Sequence, residues 1–446
     1  MTMTRNFLWI TFLTLSVVLG DAVLMGLAWF PLVAAQSPSP PPPAADSSPI
    51  ANDANITISN LQNTATAAER YINEHLFDPD GLMYSYIDVQ TGKPFEEDYV
   101  AHFKENVRRA KSWSAHHRAN SDPVTYWSYE DSVITAGCYM EALALKHQVT
   151  GDAAALEQAF KIWNRYKHIY FVSQVHGSGS FLRPYGGFAG GFAGMNKWME
   201  PLGTDQASPL LGGQYALWKY AKGEEKKELS DIIIKTLTWY EQQDFRYVWY
   251  KTIIHTWEKG GHAGSFYLPA IAFAAQITGE EKWQNLLQEK LPFAQGSGAD
   301  LMRTFKWGSD LVTLADLLGP DFEQAFPQDL LDSGYEEALE HLEKFTLPGM
   351  SAPASGGARV RPSEAGFYFL CGLAGLGHPG AAEKALSVLS ASKKVPEDFT
   401  FFLNEDSEKL PEDEFVQLQA RAVGRPLVIW YRNYWILRKA TLRENK

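Results

Sequence analysis

Glu130 and Asp131 stand side by side at the head of an apolar helical run, Ser132–Val149, and Asp205-Gln206 stand just ahead of another, Ser208–Lys222. Carboxylates on separate helices that face one hollow are what glycosidic chemistry needs. One donates a proton to the leaving oxygen, while the other takes a proton from water or attacks carbon. Glu130, Asp131 and Asp205 are the pool from which such a pair is drawn. A helix N-terminus lowers the pKa of a carboxylate, the wrong direction for an acid. Burial beside aromatic rings and a second nearby carboxylate push the other way.

Further polar residues precede or open other apolar runs. Arg183, Tyr185 and Trp198 belong to the Gly- and aromatic-rich stretch 181–198, FLRPYGGFAGGFAGMNKW, whose glycines allow close backbone approach. Gln206, His255 and His262 (the last two in HTWEKGGH), Ser309-Asp310, Arg361 and Glu364 occupy equivalent places. Arg183 and Arg361 suit an acidic ligand group, because a guanidinium can fork onto a carboxylate. Asp and Ser at helix starts are also ordinary caps. Capping does not, however, require His, Arg, Gln and a run of rings at the same end.

The elements that must position these groups repeat. Ser132–Val149 is apolar on nearly all sides and is stopped by Gly151, and an amphipathic run carrying Leu156, Phe160, Trp163 and Tyr166 follows. The pattern returns with Ser208–Lys222 before Gly223 and with Ser265–Thr278 before Gly279. It returns again with Trp307–Leu318 before Gly319 and with Glu364–Leu376 before Gly377. Each is followed by an amphipathic partner: Leu229–Tyr240, Lys282–Leu291, a helix within Ser333–Phe345, and Ala381–Ser392. Ile58–Leu76 and roughly Phe415–Leu442 supply a sixth pair from the two ends. Leu82–Val89 alternates as a short strand. An open solenoid keeps a tight repeat length, whereas the spacing here is irregular. The expectation is therefore an all-α closed toroid, an (α/α)6 barrel, with parallel inner helices and the polar set gathered at one mouth.

The chain has 446 residues, 45% hydrophobic and 13% aromatic, with a formal charge of −12 and no long Lys/Arg run, which argues against a nucleic-acid partner. Cys138 and Cys371 sit inside apolar patterns as buried free thiols, and no Cys/His spacing suits a metal, so neither metal nor cofactor is expected. Residues 1–35 read as an export signal with Val33-Ala34-Ala35 ahead of cleavage, or as a retained anchor. Residues 36–55 are a Pro-rich linker ending beside the sequon Asn55-Ile56-Thr57, and 56–446 are the folded domain. The charged region Glu96–Val124 reads as a solvated face or loop.

Four stretches carry a resemblance: DPDGLMYSYID (Asp78–Asp88), YEDSVITAGCYMEAL (Tyr129–Leu143), TDQASPLLGGQYALWKY (Thr204–Tyr220) and RPSEAGFYFLCGL (Arg361–Leu373). Together they resemble the six-hairpin glycosidase superfamily and are similar, within it, to the unsaturated glucuronyl hydrolases and their relatives. The resemblance implies two aspartates near inner-helix starts, one of which protonates an enol-ether double bond and activates water. By position these are Asp131 and Asp205, with Asp205 as acid/base, while Glu130 competes with Asp131 for the partner role. The expected protein is an exported glycoside hydrolase acting on oligosaccharides, uronate-containing ones included. The alternatives are a polysaccharide lyase, with Tyr185 or His262 as base, and a barrel that binds glycan without turnover.

Overall fold

The computed structural model describes residues 58–88, 91–94, 128–129, 131–175, 179–184, 202–249, 252–255, 263–345, 364–391 and 422–444. These are mostly helical, with a few short strands. In chain order the helices are α1 (Gln62–His75), α2 (Ser132–Thr150), α3 (Ala153–Val175), α4 (Thr204–Trp218), α5 (Gly223–Gln242), α6 (Ala263–Thr278) and α7 (Glu281–Lys290). Then come α8 (Gly298–Thr304), α9 (Ser309–Leu318), α10 (Asp321–Ala325), α11 (Gln328–Phe345), α12 (Glu364–Leu376), α13 (Ala381–Ala391) and α14 (Arg425–Glu444). Among the described residues no helix is long and apolar enough to cross a membrane.

The helices sort into two kinds. From Ser132 to Ala144 every residue of α2 is buried, and α4 is buried from Gln206 to Leu217. A helix apolar on all sides must be enclosed by others. By contrast α3, α5 and α7 bury one face only, as Ile162, Trp163 and Tyr166 of α3 do. Helix α2 packs on α4, α4 on α6, α6 on α9, α9 on α12, α12 on α14, and α14 on α2. The half-buried helices lie against these: α3 on α2, α5 on α4 and α6, α7 on α6, α11 on α12, α13 on α12 and α14, and α1 on α14.

Close approach between buried helices rests on missing side chains. A Cβ at Gly137 of α2 would collide with the Pro209 carbonyl of α4, and one at Gly213 would press on the Gly137 carbonyl. Pro269 cannot donate to the Ser265 carbonyl one turn back. The Ser208 hydroxyl of α4 donates to that oxygen instead, at 2.9 Å. Because both sides of the α2–α4 contact are backbone, neither can yield cheaply. Gly137→Ala is expected to destabilise the protein by about 1–3 kcal/mol through overpacking, read as a lower midpoint in guanidinium unfolding.

Four of the five expected glycine stops, Gly151, Gly279, Gly319 and Gly377, follow their helices directly with positive φ. Gly319 follows α9 at φ +56° but with ψ −127°, outside the left-handed helical region. Gly223 differs more. Helix α4 ends four residues sooner, at Trp218, and Gly223 opens α5. That helix also begins at Thr204 rather than Ser208, so Asp205 and Gln206 lie in its first turn and Pro209 inside it. The last helix starts at Arg425, well after Phe415, where the expected run Phe415–Leu442 begins.

Two antiparallel strand pairs complete the fold. β1 (Tyr86–Asp88) pairs with β2 (Ala422–Gly424), Tyr86 opposite Gly424, and this ties the turn after α1 to the head of α14. A hairpin joins Tyr247–Trp249 to Thr252–His255.

Candidate functional site

The heads of α2, α4 and α14 meet at Asp131. This residue occupies the N-cap position of α2, yet its carboxylate makes no capping bond to the helix. Its two oxygens go elsewhere. Oδ2 accepts from Arg425 Nη1 at 2.6 Å and Oδ1 accepts from Gln206 Nε2 at 3.1 Å. Arg425 and Asp131 are nearly buried, with side chains 15% and 13% exposed. A charge-assisted pair with so little water around it is stronger than a surface ion pair, and it fixes the carboxylate in place.

The turn 78–88 forms the supporting layer. Asp78 Oδ1 accepts from the backbone N–H groups of Asp80 and Leu82, which closes the turn, and its Oδ2 accepts from the Tyr129 hydroxyl at 2.7 Å. Ser85 Oγ accepts from the Asp131 N–H at 2.6 Å, Ser85 N–H donates to the Ser128 carbonyl, and Arg425 N–H donates to the Ser85 carbonyl. The Arg425 guanidinium also lies 5.5 Å from the centre of the Tyr86 ring. Thus residues far apart in sequence hold Asp131 from below while β1 and β2 hold Arg425 in register.

Asp205 sits in the first turn of α4, half-buried, one residue from the Gln206 that binds Asp131. Burial, together with the charge of Asp205, pushes the Tyr240 phenol upward. The Tyr240 hydroxyl donates to the Leu202 carbonyl at 3.0 Å, which steadies the residues leading into α4. Arg183 lies half-buried in the segment leading toward this end. His255 ends the strand Thr252–His255 opposite Tyr247, and Glu364 opens α12. Glu130, Tyr185, Trp198, His262 and Arg361 lie outside the described residues, as do the side chains of His255 and Glu364.

Two turns below Arg425 on the same helix, Arg432 is fully buried. Its Nη1 donates to Ser309 Oγ at 3.1 Å and to Cys138 Sγ at 3.4 Å, and its Nη2 donates to the Trp307 carbonyl at 3.1 Å. Glu141 Oε2 lies 3.6 Å from Nη1. Ser309 and Asp310, expected at the rim, are both buried in this layer. Asp310 Oδ1 accepts from the Leu311 N–H, and no hydrogen bond reaches Oδ2 among the described residues. Burial pushes the Asp310 carboxyl up to about 7, opposed by the Leu311 N–H and by Arg432. Burial raises Glu141 as well.

These shifts have a definite sign. The folded protein keeps the Asp310 proton up to about pH 7, whereas an unfolded aspartate releases it near pH ~3.9. The contribution to stability is therefore complete below about pH 4 and is lost as pH rises through about 7. Unfolding free energy is expected to fall between pH 5 and pH 8, and Asp310→Asn to flatten that slope; denaturant titrations at the two pH values check it.

Sequence reading missed Arg425 and Arg432. Arg425-Pro426 is itself a helix-start signal, since proline is favoured in the first turn. Arg432 in the run 427–437 is a lone charge amid apolar and aromatic residues, which marks a paired core cation. No family model matches this chain, and no curated protein matches its sequence.

Proposed function

We propose that this chain is an exported (α/α)6 barrel that hydrolyses oligosaccharides carrying an unsaturated uronate. The cyclic order of contacts among α2, α4, α6, α9, α12 and α14 supports the barrel. So does the meeting of three of their heads at Asp131. The observation that carries the function is Asp131 itself. A carboxylate placed where a cap belongs makes no cap, and is held instead by a guanidinium and an amide beside the first turn that bears Asp205.

In this reading Arg425 and Gln206 fix the Asp131 carboxylate so that it orients substrate and water, and Asp205 carries the proton. Asp205 gives its proton to one carbon of the enol-ether double bond, and water adds to the other carbon and returns a proton to Asp205. The hydrated carbon, now a hemiketal, becomes a ketone as it releases the ring oxygen, and the anomeric carbon, left as a hemiacetal, expels the glycosidic oxygen as an alcohol and becomes an aldehyde. Arg183 and Arg361 would meet the uronate carboxylate, with Tyr185, Trp198, His255, His262 and Glu364 around the sugar. The apolar, leader-like composition of residues 1–35 supports the export part of this reading.

The test is ultraviolet absorbance of the double bond over a panel of saturated and unsaturated uronate oligosaccharides incubated with the full chain. Falling absorbance with an unsaturated substrate is the expected result. A rise with a saturated substrate makes the protein a lyase, and binding without change makes it a glycan-binding barrel; either overturns the proposal.

A further inference from the structure

At the end of the helices opposite Asp131 lies a cavity of about 240 Å³. It is lined from the C-terminal halves of α2, α4, α9, α12 and α14, by Glu141, Tyr215, Lys219, Asp316, Lys439 and Arg443 among others. We propose that this cavity binds a small oxyanion, a carboxylate or a phosphate, between Lys439 and Arg443.

The charges lining the cavity do not all pair with one another. Lys219 Nζ is 2.7 Å from Asp316 Oδ2, and the Tyr215 hydroxyl donates to the same oxygen at 2.9 Å, so that pair is satisfied internally. Glu141 points its charge toward Arg432 in the layer above. Two cations are left, one turn apart on α14. Arg443 Nη1 donates to the Gly375 carbonyl near the end of α12, at 3.0 Å. Cations at helix C-termini answer the negative end of the dipole, which accounts for Lys219 and Arg443. It does not account for Lys439, which sits more than a turn before the end of its helix. Lys439 is half-buried and, among the described residues, makes no hydrogen bond and no ion pair.

Ammonium groups removed from water without a partner are costly. Burial, followed by the charges of Lys219 and Arg443, pushes Lys439 down to about 8, against the smaller opposing pull of Asp316 and Glu141. An anion seated between Lys439 and Arg443 would remove the repulsion and supply the missing acceptor. The neighbouring Asp316 is held by Lys219 at 2.7 Å and makes no ion pair with Lys439, so the Lys439 ammonium still has an open position for an acceptor. The site is independent of the chemistry proposed at the other end.

The experiment is isothermal titration of the full chain with inorganic phosphate and, separately, with glucuronate, at constant ionic strength set with sodium chloride. One saturable site per chain is expected for at least one of them. Lys439→Gln and Arg443→Gln should each weaken it about tenfold or more, and Lys439→Arg should restore most of the affinity. Uptake of phosphate alone assigns the site to phosphate-like anions, and uptake of glucuronate alone assigns it to sugar acids, in each case when Lys439→Gln or Arg443→Gln weakens it. Glucuronate uptake that neither variant weakens belongs to the Asp131 end and overturns the proposal. The proposal is overturned if neither ligand binds, or if binding is unchanged in both Lys439→Gln and Arg443→Gln. Circular dichroism of the variants establishes that they are folded, and Arg443→Gln carries the test if Lys439→Gln is not.

Discussion

Arg432→Met lowers the stability of the protein by about 3–5 kcal/mol, the scale expected when one partner of a buried ion pair is removed and the other is left uncompensated. Methionine replaces much of the volume but none of the donors. Ser309 Oγ, the Trp307 carbonyl and the Asn433 amide oxygen all lose a guanidinium partner, and Glu141 loses its counter-charge. All these groups are buried, so water cannot substitute freely. Adding Glu141→Leu to Arg432→Met should recover part of the loss, because the orphaned acid is then gone as well. Guanidinium unfolding of wild type, the two single variants and the double variant measures this coupling. Equal stabilities for wild type and Arg432→Met would contradict the placement of Arg432.

The second large effect is on turnover. In the proposed mechanism Asp205→Asn removes the proton carrier, and kcat should fall by about 10²–10⁴-fold. Its half-buried position makes a small change in unfolding midpoint the expected companion. Arg425→Met acts differently, since it leaves Asp131 with Gln206 alone and frees the carboxylate from its fixed orientation. Activity should fall through both kcat and KM, and the unfolding midpoint should fall too. Kinetics on an unsaturated uronate disaccharide, with thermal unfolding of the same samples, separate the two variants.

The helical hairpins were legible because each rests on a local signal. An all-round apolar run must be enclosed, and glycine directly after it takes the positive φ seen at Gly151, Gly279 and Gly377. Where the local signal misled, tertiary packing had intervened. Helix α4 runs through Pro209, buried against α2 and α6, and it ends at Trp218, before Gly223. Gln206 was visible as a polar residue at a helix head. Its partner was not, since the bond to Asp131 spans 75 residues. The Arg425–Asp131 pair spans 294 residues and depends on β1 pairing with β2, which no short stretch encodes. The polar layer around Arg432 was hidden for a similar reason. Ser309 and Asp310 carry the composition of a helix cap, and only the approach of α14 turns them inward.

The central claim is that sugar is bound and cleaved at the end where Asp131 is held by Gln206 and Arg425. A crystal structure of the Asp205→Asn variant with an unsaturated uronate disaccharide tests it most directly. The account predicts the sugar at the heads of α2, α4 and α14, its double bond within reach of residue 205 and of a water beside Asp131. Sugar bound only at the opposite end of these helices, or on the outer helices, would contradict it.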